Sequence, residues 1–346
     1  MTAARSTLRV VAFGGGTGLP VLLRGLRQAG IEQITAVVTV ADDGGSSGRL
    51  RQELGVAPPG DLRNCLVALA GRRRLAEVFD YRFEAGEELR EHSVGNIIIA
   101  ALADIAGGFC EGVEQAGRFL RITGRVLPAA TCSVTLVIEH ADGSLTRGES
   151  TLRDAGKAVR RVTIDPPDAA APLPVIEAID RADIIVLSPG SLFTSTIPAL
   201  LGAGVAEALA RFRGPVIYAA NVMTQPGETS SFSLSDHVRA LIEHAGPVIS
   251  DVLCDCSRLP ARLLERYRAE RAEPVALDRD EVERLGVRVH LARLLSDASA
   301  REIRHDPLRL ARAVLDVGAA SLGRSATEAA SPPMSEPRAR RRARRR

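Results

Sequence analysis

Two adjacent carboxylates, Asp42 and Asp43, close an apolar run in VTVADDGGSSGRL (residues 38–50), and Gly44, Gly45, Ser46, Ser47 and Gly48 follow at once. Such a stretch can present a carboxylate to Mg²⁺, hold a phosphate on backbone N–H groups and hydroxyls, or simply turn the chain. Neighbouring side chains at a strand end point to opposite faces, so one carboxylate can reach a ligand while the other satisfies local N–H groups. A metal centre built from both is therefore not expected. Three further loops carry similar chemistry. GGGTGLP gathers Gly14, Gly15, Gly16, Thr17 and Gly18; SPGSLFTSTIP gathers Ser188, Gly190, Ser191, Thr194, Ser195 and Thr196; NVMTQPGETSS gathers Asn221, Thr224, Gln225 and Glu228. Glycines let backbone N–H groups approach an oxyanion, and a helix starting behind the loop adds its positive end. The first loop matches neither the dinucleotide fingerprint, since Leu19 and Val21 stand where a further glycine is required, nor the Gly-Lys-Ser/Thr phosphate loop.

These loops need elements that aim them at one place. LRVVAF (8–13) and ITAVVTV (34–40) are β-branched runs of strand length around the helical spacing of LPVLLRGLRQAG, which makes a βαβ unit. ADIIVLS (182–188), PVIYAANV (215–222) and PVISDVL (247–253) read as further buried strands, with IPALLGAGVAEALARF and SLSDHVRALIEHAG as intervening helices. DLRNCLVALAG and HSVGNIIIAALADIAG also read as helices, and SVTLVIEHADGSLTRGES contains an alternating run and an Asp-Gly turn. The expected fold is α/β: a doubly wound, mostly parallel, Rossmann-like sheet with a small antiparallel extension. In such sheets ligands bind beyond the carboxyl ends of the strands, where the strand order reverses. Four polar, glycine-bearing loops after four apolar strands point to a nucleotide or phosphate ligand.

Other chemistry-bearing residues carry less weight. Asp61, after Pro-Pro-Gly, reads as a helix N-cap with Asn64 one turn inside, and Asn96, after Gly95, serves either close packing or ligand contact. His92 and His305 lack a metal-spaced partner and read as satisfied structural histidines. Cys254 and Cys256 have no second pair to complete a zinc site. No Ser-His-Asp order or nucleophile elbow is present, so nucleophilic catalysis is unsupported.

The chain of 346 residues is 45% hydrophobic and 25% charged, the balance of a globular protein. Five scattered cysteines form no disulfide framework, no leader pattern opens the chain, and its apolar runs fall short of a membrane span, so a cytoplasmic location without a membrane segment is expected. Lys157 is the only lysine, and removing the seven arginines of RARRRARRR (338–346) turns the formal net charge from +3 to −4. The body, residues 1–323, is read as one domain, and residues 324–346 as a disordered Arg-rich tail. The tail lacks aromatics for base stacking, so nucleic acid is disfavoured as a partner.

VVAFGGGTGLPVLLRGLR, ITAVVTVADDGGSSGRLR, PPGDLRNCLVALA, HSVGNIIIAAL, SPGSLFTSTIPALL and NVMTQPGET, in this order, closely resemble the gluconeogenesis-factor family, called YvcK, within the CofD-like superfamily. The resemblance spans about residues 8 to 317. It implies the doubly wound fold, binding of UDP sugars, notably UDP-N-acetylglucosamine, and support of cell-wall synthesis and cell shape on gluconeogenic carbon sources through an unidentified protein partner. It also implies that Tyr267, in LLERYRAERAEPV, and Arg304, in IRHD, contact the nucleotide sugar. A tyrosine face can stack on uracil or sugar, and a guanidinium fork matches a pyrophosphate. The superfamily also contains 2-phospho-L-lactate transferase of coenzyme F420 biosynthesis, which joins a phospholactyl group from a guanosine diphosphate carrier to a deazaflavin with Mg²⁺. Three readings follow: a nucleotide-sugar-binding regulator without catalytic activity, an Mg²⁺-dependent transferase using the same cradle, and a nucleic-acid-associated protein acting through its tail. The motif wording favours the first. No cofactor is firmly implied beyond the UDP-sugar ligand, and turnover and homo-oligomer formation stay open.

Overall fold

The computed structural model describes residues 7–86, 89–152, 156–296 and 302–330, with side chains to residue 323. Its strands are β1 (Arg9–Gly14), β2 (Gln33–Val38), β3 (Arg125–Pro128), β4 (Thr135–His140), β5 (Leu145–Arg147), β6 (Val159–Asp165), β7 (Ile184–Leu187), β8 (Val216–Ala219), β9 (Asp251–Asp255) and β10 (Arg288–Ala292). Seven of them form one sheet in the order β10-β9-β8-β7-β1-β2-β3. Every neighbouring pair in it is parallel. Every residue of β7 and β8 is buried, as is β1 after Arg9, because helices cover both faces. The chain leaves β1 toward β2 and β3, then returns to β1's other side at β7. The order therefore reverses between β1 and β7, and the loops that follow these two strands face each other.

The helix Gly18–Gln28 shows how sequence spacing sets this arrangement. Leu19, Leu22, Leu23 and Leu26 recur on one face and are fully buried. Each such leucine contributes roughly 1.5–3 kcal/mol by leaving water. The covered face fixes the helix against the sheet, and its N-terminus is thereby aimed at the β1–β7 reversal.

Strands β5-β4-β6 make a separate antiparallel sheet, the expected small extension. Residues of β4 alternate between half-buried and buried, and Asp142 turns the chain into β5 by accepting from Ser144 N at 2.9 Å. At the far edge of the main sheet, Asp251 is fully buried and binds Arg288 through both oxygens at 2.9 and 2.8 Å, and His290 Nε2 at 2.7 Å. Burial pushes its carboxyl up, but the hydrogen bonds from Arg288, Ser250 and His290 outweigh this and hold it below the usual range. Ser321 also donates to Asp251, which ties the last helix, Pro307–Ala330, to β9 and β10.

Three expectations change. IPALLGAGVAEALARF is not one helix: a π-helical turn, Leu192–Thr196, and a 3-10 turn, Pro198–Leu200, precede the helix Val205–Arg211. Pro198 cannot donate to a continuing ladder, and Gly202 and Gly204 break it again. The strand expected over 247–253 is β9, Asp251–Asp255. The last helix runs past the boundary drawn at residue 323, and residues 331–346 of the expected tail lie outside the described residues. No helix among the described residues is long and apolar enough to cross a membrane.

Candidate functional site

The loops after β1 and β7 meet at the reversal. A Cβ on Gly18 would lie 1.7 Å from Pro189 O, so only glycine lets the helix start approach the second loop this closely. Gly16 has φ +56° and donates its N–H to Asp61 Oδ2 at 2.6 Å. Ser195 lies across from Gly16, and Ser188 Oγ lies over Gly14, buried and without a partner among the described residues. Asn221 lines the cleft and also clamps the second loop: Gly190 N donates to its Oδ1 at 2.9 Å and its Nδ2 donates to Gly190 O at 2.7 Å. Gln225 Nε2 donates to Ser191 Oγ at 2.8 Å, and Thr224 pairs with the Glu273 backbone through its own N–H and hydroxyl. The amides of Phe193 and Thr194 donate to Glu228 Oε1 at 2.6 and 3.1 Å. An internal carboxylate thus fills part of the second anion cradle that the sequence offered.

The stretch 42–48 is largely self-satisfied. Asp42 accepts from Gly44 N at 2.9 Å and from Ser47, whose Oγ in turn accepts from Gly60 N at 3.1 Å. Asp43 points the other way, accepting from Ser150 N at 2.9 Å and docking the antiparallel extension. Ser46 Oγ lies 3.0 Å from His92 Nδ1 and accepts from Asn96 Nδ2 at 3.2 Å. Asn96 thereby serves packing within this buried chain, though its Oδ1 has no partner among the described residues. Asn64 accepts from Arg63 Nη2 at 2.6 Å. Asp42 and Asp43 diverge onto separate N–H donors, and no three His, Cys, Asp or Glu among the described residues come together as a cation cage.

A cleft of about 280 Å³ opens where the glycine loops meet the segment before the last helix. Thr17, Gly18 and Gly190 line one side; Gln225, Tyr267 and Arg304 line the others. Tyr267 OH accepts from Ile303 N at 3.2 Å, which sets the tyrosine beside Arg304, and Arg304 Nε pairs with Glu302. His305, read from sequence as satisfied, is 9% exposed with Nε2 unpartnered among the described residues. Burial pushes its pKa down to about 4, so the ring is neutral at pH 7.

A model of the CofD family, described as 2-phospho-L-lactate transferase CofD, matches residues 10–295. The chain is 43% identical over 313 residues to the gluconeogenesis factor of Halalkalibacterium halodurans, covering 89% of this chain and 95% of that one. It is 43% identical over 312 residues to the gluconeogenesis factor of Bacillus subtilis, covering 89% of this chain and 98% of that one. The chain belongs to the CofD family, in its gluconeogenesis-factor branch. A crystal structure of a Bacillus halodurans protein, described as a member of the UPF0052 family, matches with a TM-score of 0.85 at 42% identity, covering 89% of this chain and 98% of that one.

Beside the loops of this CofD-family protein lie three carboxyls, of which the sequence reading named Asp61 and Glu228 but not Glu149. Asp61 does not cap its helix; Pro59 holds the N-cap position, and the Asp61 carboxyl reaches the glycine loop. Burial, opposed by the Gly16 N–H and reinforced by Asp42, pushes Asp61 up to about 6. Glu149, half-buried at the end of the extension, is pushed up to about 8 by burial and then by the charges of Asp42, Asp61 and Glu228. Glu228, expected at the ligand edge with Asn221, Thr224 and Gln225, accepts from the Phe193 and Thr194 amides. Their partners lie far away in sequence, so the one local signal was Asp61's place after Pro-Pro-Gly.

The Glu149 shift carries a pH signature. The folded state keeps a proton that the unfolded chain releases near the usual carboxylate pKa, so folding stability falls as pH rises from about 4.5 to about 8. Glu149→Gln stays neutral. We expect it to match the wild type at pH 4 and to exceed it at pH 8 by on the order of 2 kcal/mol, allowing for the water that still reaches a half-buried carboxyl. Urea unfolding of both proteins across that range checks this; parallel stability curves would contradict it.

Proposed function

We propose that the protein is a UDP-sugar-binding regulator whose ligand is UDP-N-acetylglucosamine. Its occupancy is read by a protein partner in cell-wall synthesis and cell-shape control on gluconeogenic carbon. The observation that carries this reading is that Tyr267, held by the Ile303 amide, and Arg304 line one cleft with Gly18 and Gly190 at the strand reversal. A phenol face and a guanidinium fork facing glycine backbone suit a base or sugar joined to a diphosphate. The names of the similar gluconeogenesis factors agree with a metabolic role.

A second reading, a transferase acting on a nucleotide-diphosphate-linked donor, draws on Asp61. Its carboxyl titrates at about 6 beside the glycine loop, near enough to neutrality to exchange a proton with a bound acceptor. The two readings separate on charge. For a binding protein, Asp42→Asn and Asp43→Asn should each change UDP-sugar affinity by no more than about fivefold, the equivalent of ~1 kcal/mol, with or without Mg²⁺. Mg²⁺-dependent consumption of a nucleotide-diphosphate donor, lost in either variant, would decide for the transferase.

A further inference from the structure

Behind Arg304 lies a second concavity of about 290 Å³, walled by Arg258, Arg293, Arg304 and Arg309, with Glu302 as the carboxylate on its lining. The guanidinium groups come from separate segments: Arg258 follows β9, Arg293 follows β10, and Arg309 sits in the first turn of the last helix. They gather at the same carboxyl edge of the sheet as the nucleotide cleft. Two of these groups have partners. Arg304 pairs with Glu302, and Arg309 Nη1 donates to Leu295 O at 2.6 Å. Arg258 and Arg293 are exposed, and neither makes a hydrogen bond or ion pair with a described residue. Asp255, the nearby carboxylate, is occupied by Ser257 N at 2.8 Å, Ser257 Oγ at 2.7 Å and Leu294 N at 2.8 Å.

We propose that this pocket is a second oxyanion site, adjoining the nucleotide cleft and taking the phosphate of a small phosphorylated metabolite. Guanidinium forks match phosphate oxygens, and Arg258 and Arg293 have no partner among the described residues. Pro260, Leu263 and Leu295 add an apolar wall suited to the carbon skeleton of an ester. Arg304 lines both cavities, so an anion here draws on a group that also faces the nucleotide cleft.

The test is calorimetric titration of the full chain with inorganic phosphate and with glycerol 3-phosphate, no nucleotide being present. We expect saturable binding that weakens at least tenfold in the Arg258→Gln/Arg293→Gln double variant, whose thermal unfolding should match the wild type because both side chains are exposed. Tighter binding of the monoester supports a phosphorylated metabolite, and monoester binding no tighter than that of inorganic phosphate would overturn that occupant. Gly18→Ala supplies the second arm and should bind phosphate as the wild type does. Absence of saturable binding, an unchanged double variant, or loss confined to Gly18→Ala would overturn the proposal, the last by assigning the anion to the glycine cradle.

Discussion

Gly18→Ala should lose UDP-sugar binding by more than about 100-fold while the chain still folds. The added Cβ would lie 1.7 Å from Pro189 O and 2.5 Å from its carbonyl carbon, both backbone atoms that no rotamer change can move aside. The loops after β1 and β7 must therefore separate, and these loops form one wall of the cleft. Overpacking of this kind costs roughly 1–3 kcal/mol, against a total stability of about 5–15 kcal/mol for a typical protein. Calorimetry on the variant, with its thermal unfolding recorded alongside, checks both halves. Wild-type affinity in Gly18→Ala would show that the ligand does not use this wall.

Arg304→Ala should weaken UDP-sugar binding by about 10- to 100-fold, the equivalent of a charge-assisted hydrogen bond of roughly 1.5–3 kcal/mol. Arg304 is exposed and sits outside the core, so thermal unfolding should hardly move. Its partner sharpens the expectation. Glu302 is paired with the Arg304 guanidinium, and removing the arginine leaves a bare carboxylate at the edge of a diphosphate site. Arg304→Ala combined with Glu302→Gln should therefore recover part of the lost affinity. Arg304→Lys should recover less than the native arginine provides, because an ammonium lacks the planar fork. Unchanged binding in folded Arg304→Ala would remove the residue from the site.

The strands nearest the site were legible because burial on both faces leaves one signal, a short β-branched run, and β1, β7 and β8 carry it cleanly. Strand β3 was missed: it has four residues and ends in Pro128, too short a run to show a period. Strand β10 was missed because its exposed edge mixes Arg288 and His290 into the pattern. The glycine loops were legible as the places where backbone approaches closely, as Gly18 does against Pro189. What each polar residue in them holds was not. Asn221 binds Gly190, Ser46 binds His92 and Asn96, and Glu228 binds the π-turn amides, all across separations that no local spacing encodes. The raised pKa values of Asp61 and Glu149 stayed hidden for the same reason: they come from tertiary burial and then from nearby carboxylates, Asp42 for Asp61, and Asp42, Asp61 and Glu228 for Glu149.

The most direct test of the central claim is isothermal titration of the full-length protein with UDP-N-acetylglucosamine in the absence of Mg²⁺, with guanosine diphosphate as comparison ligand. The account predicts saturable, one-to-one binding of the UDP sugar that needs no metal and is tighter than that of the guanosine nucleotide. No saturable UDP-sugar binding, or a preference for guanosine diphosphate that appears only with Mg²⁺, would contradict it.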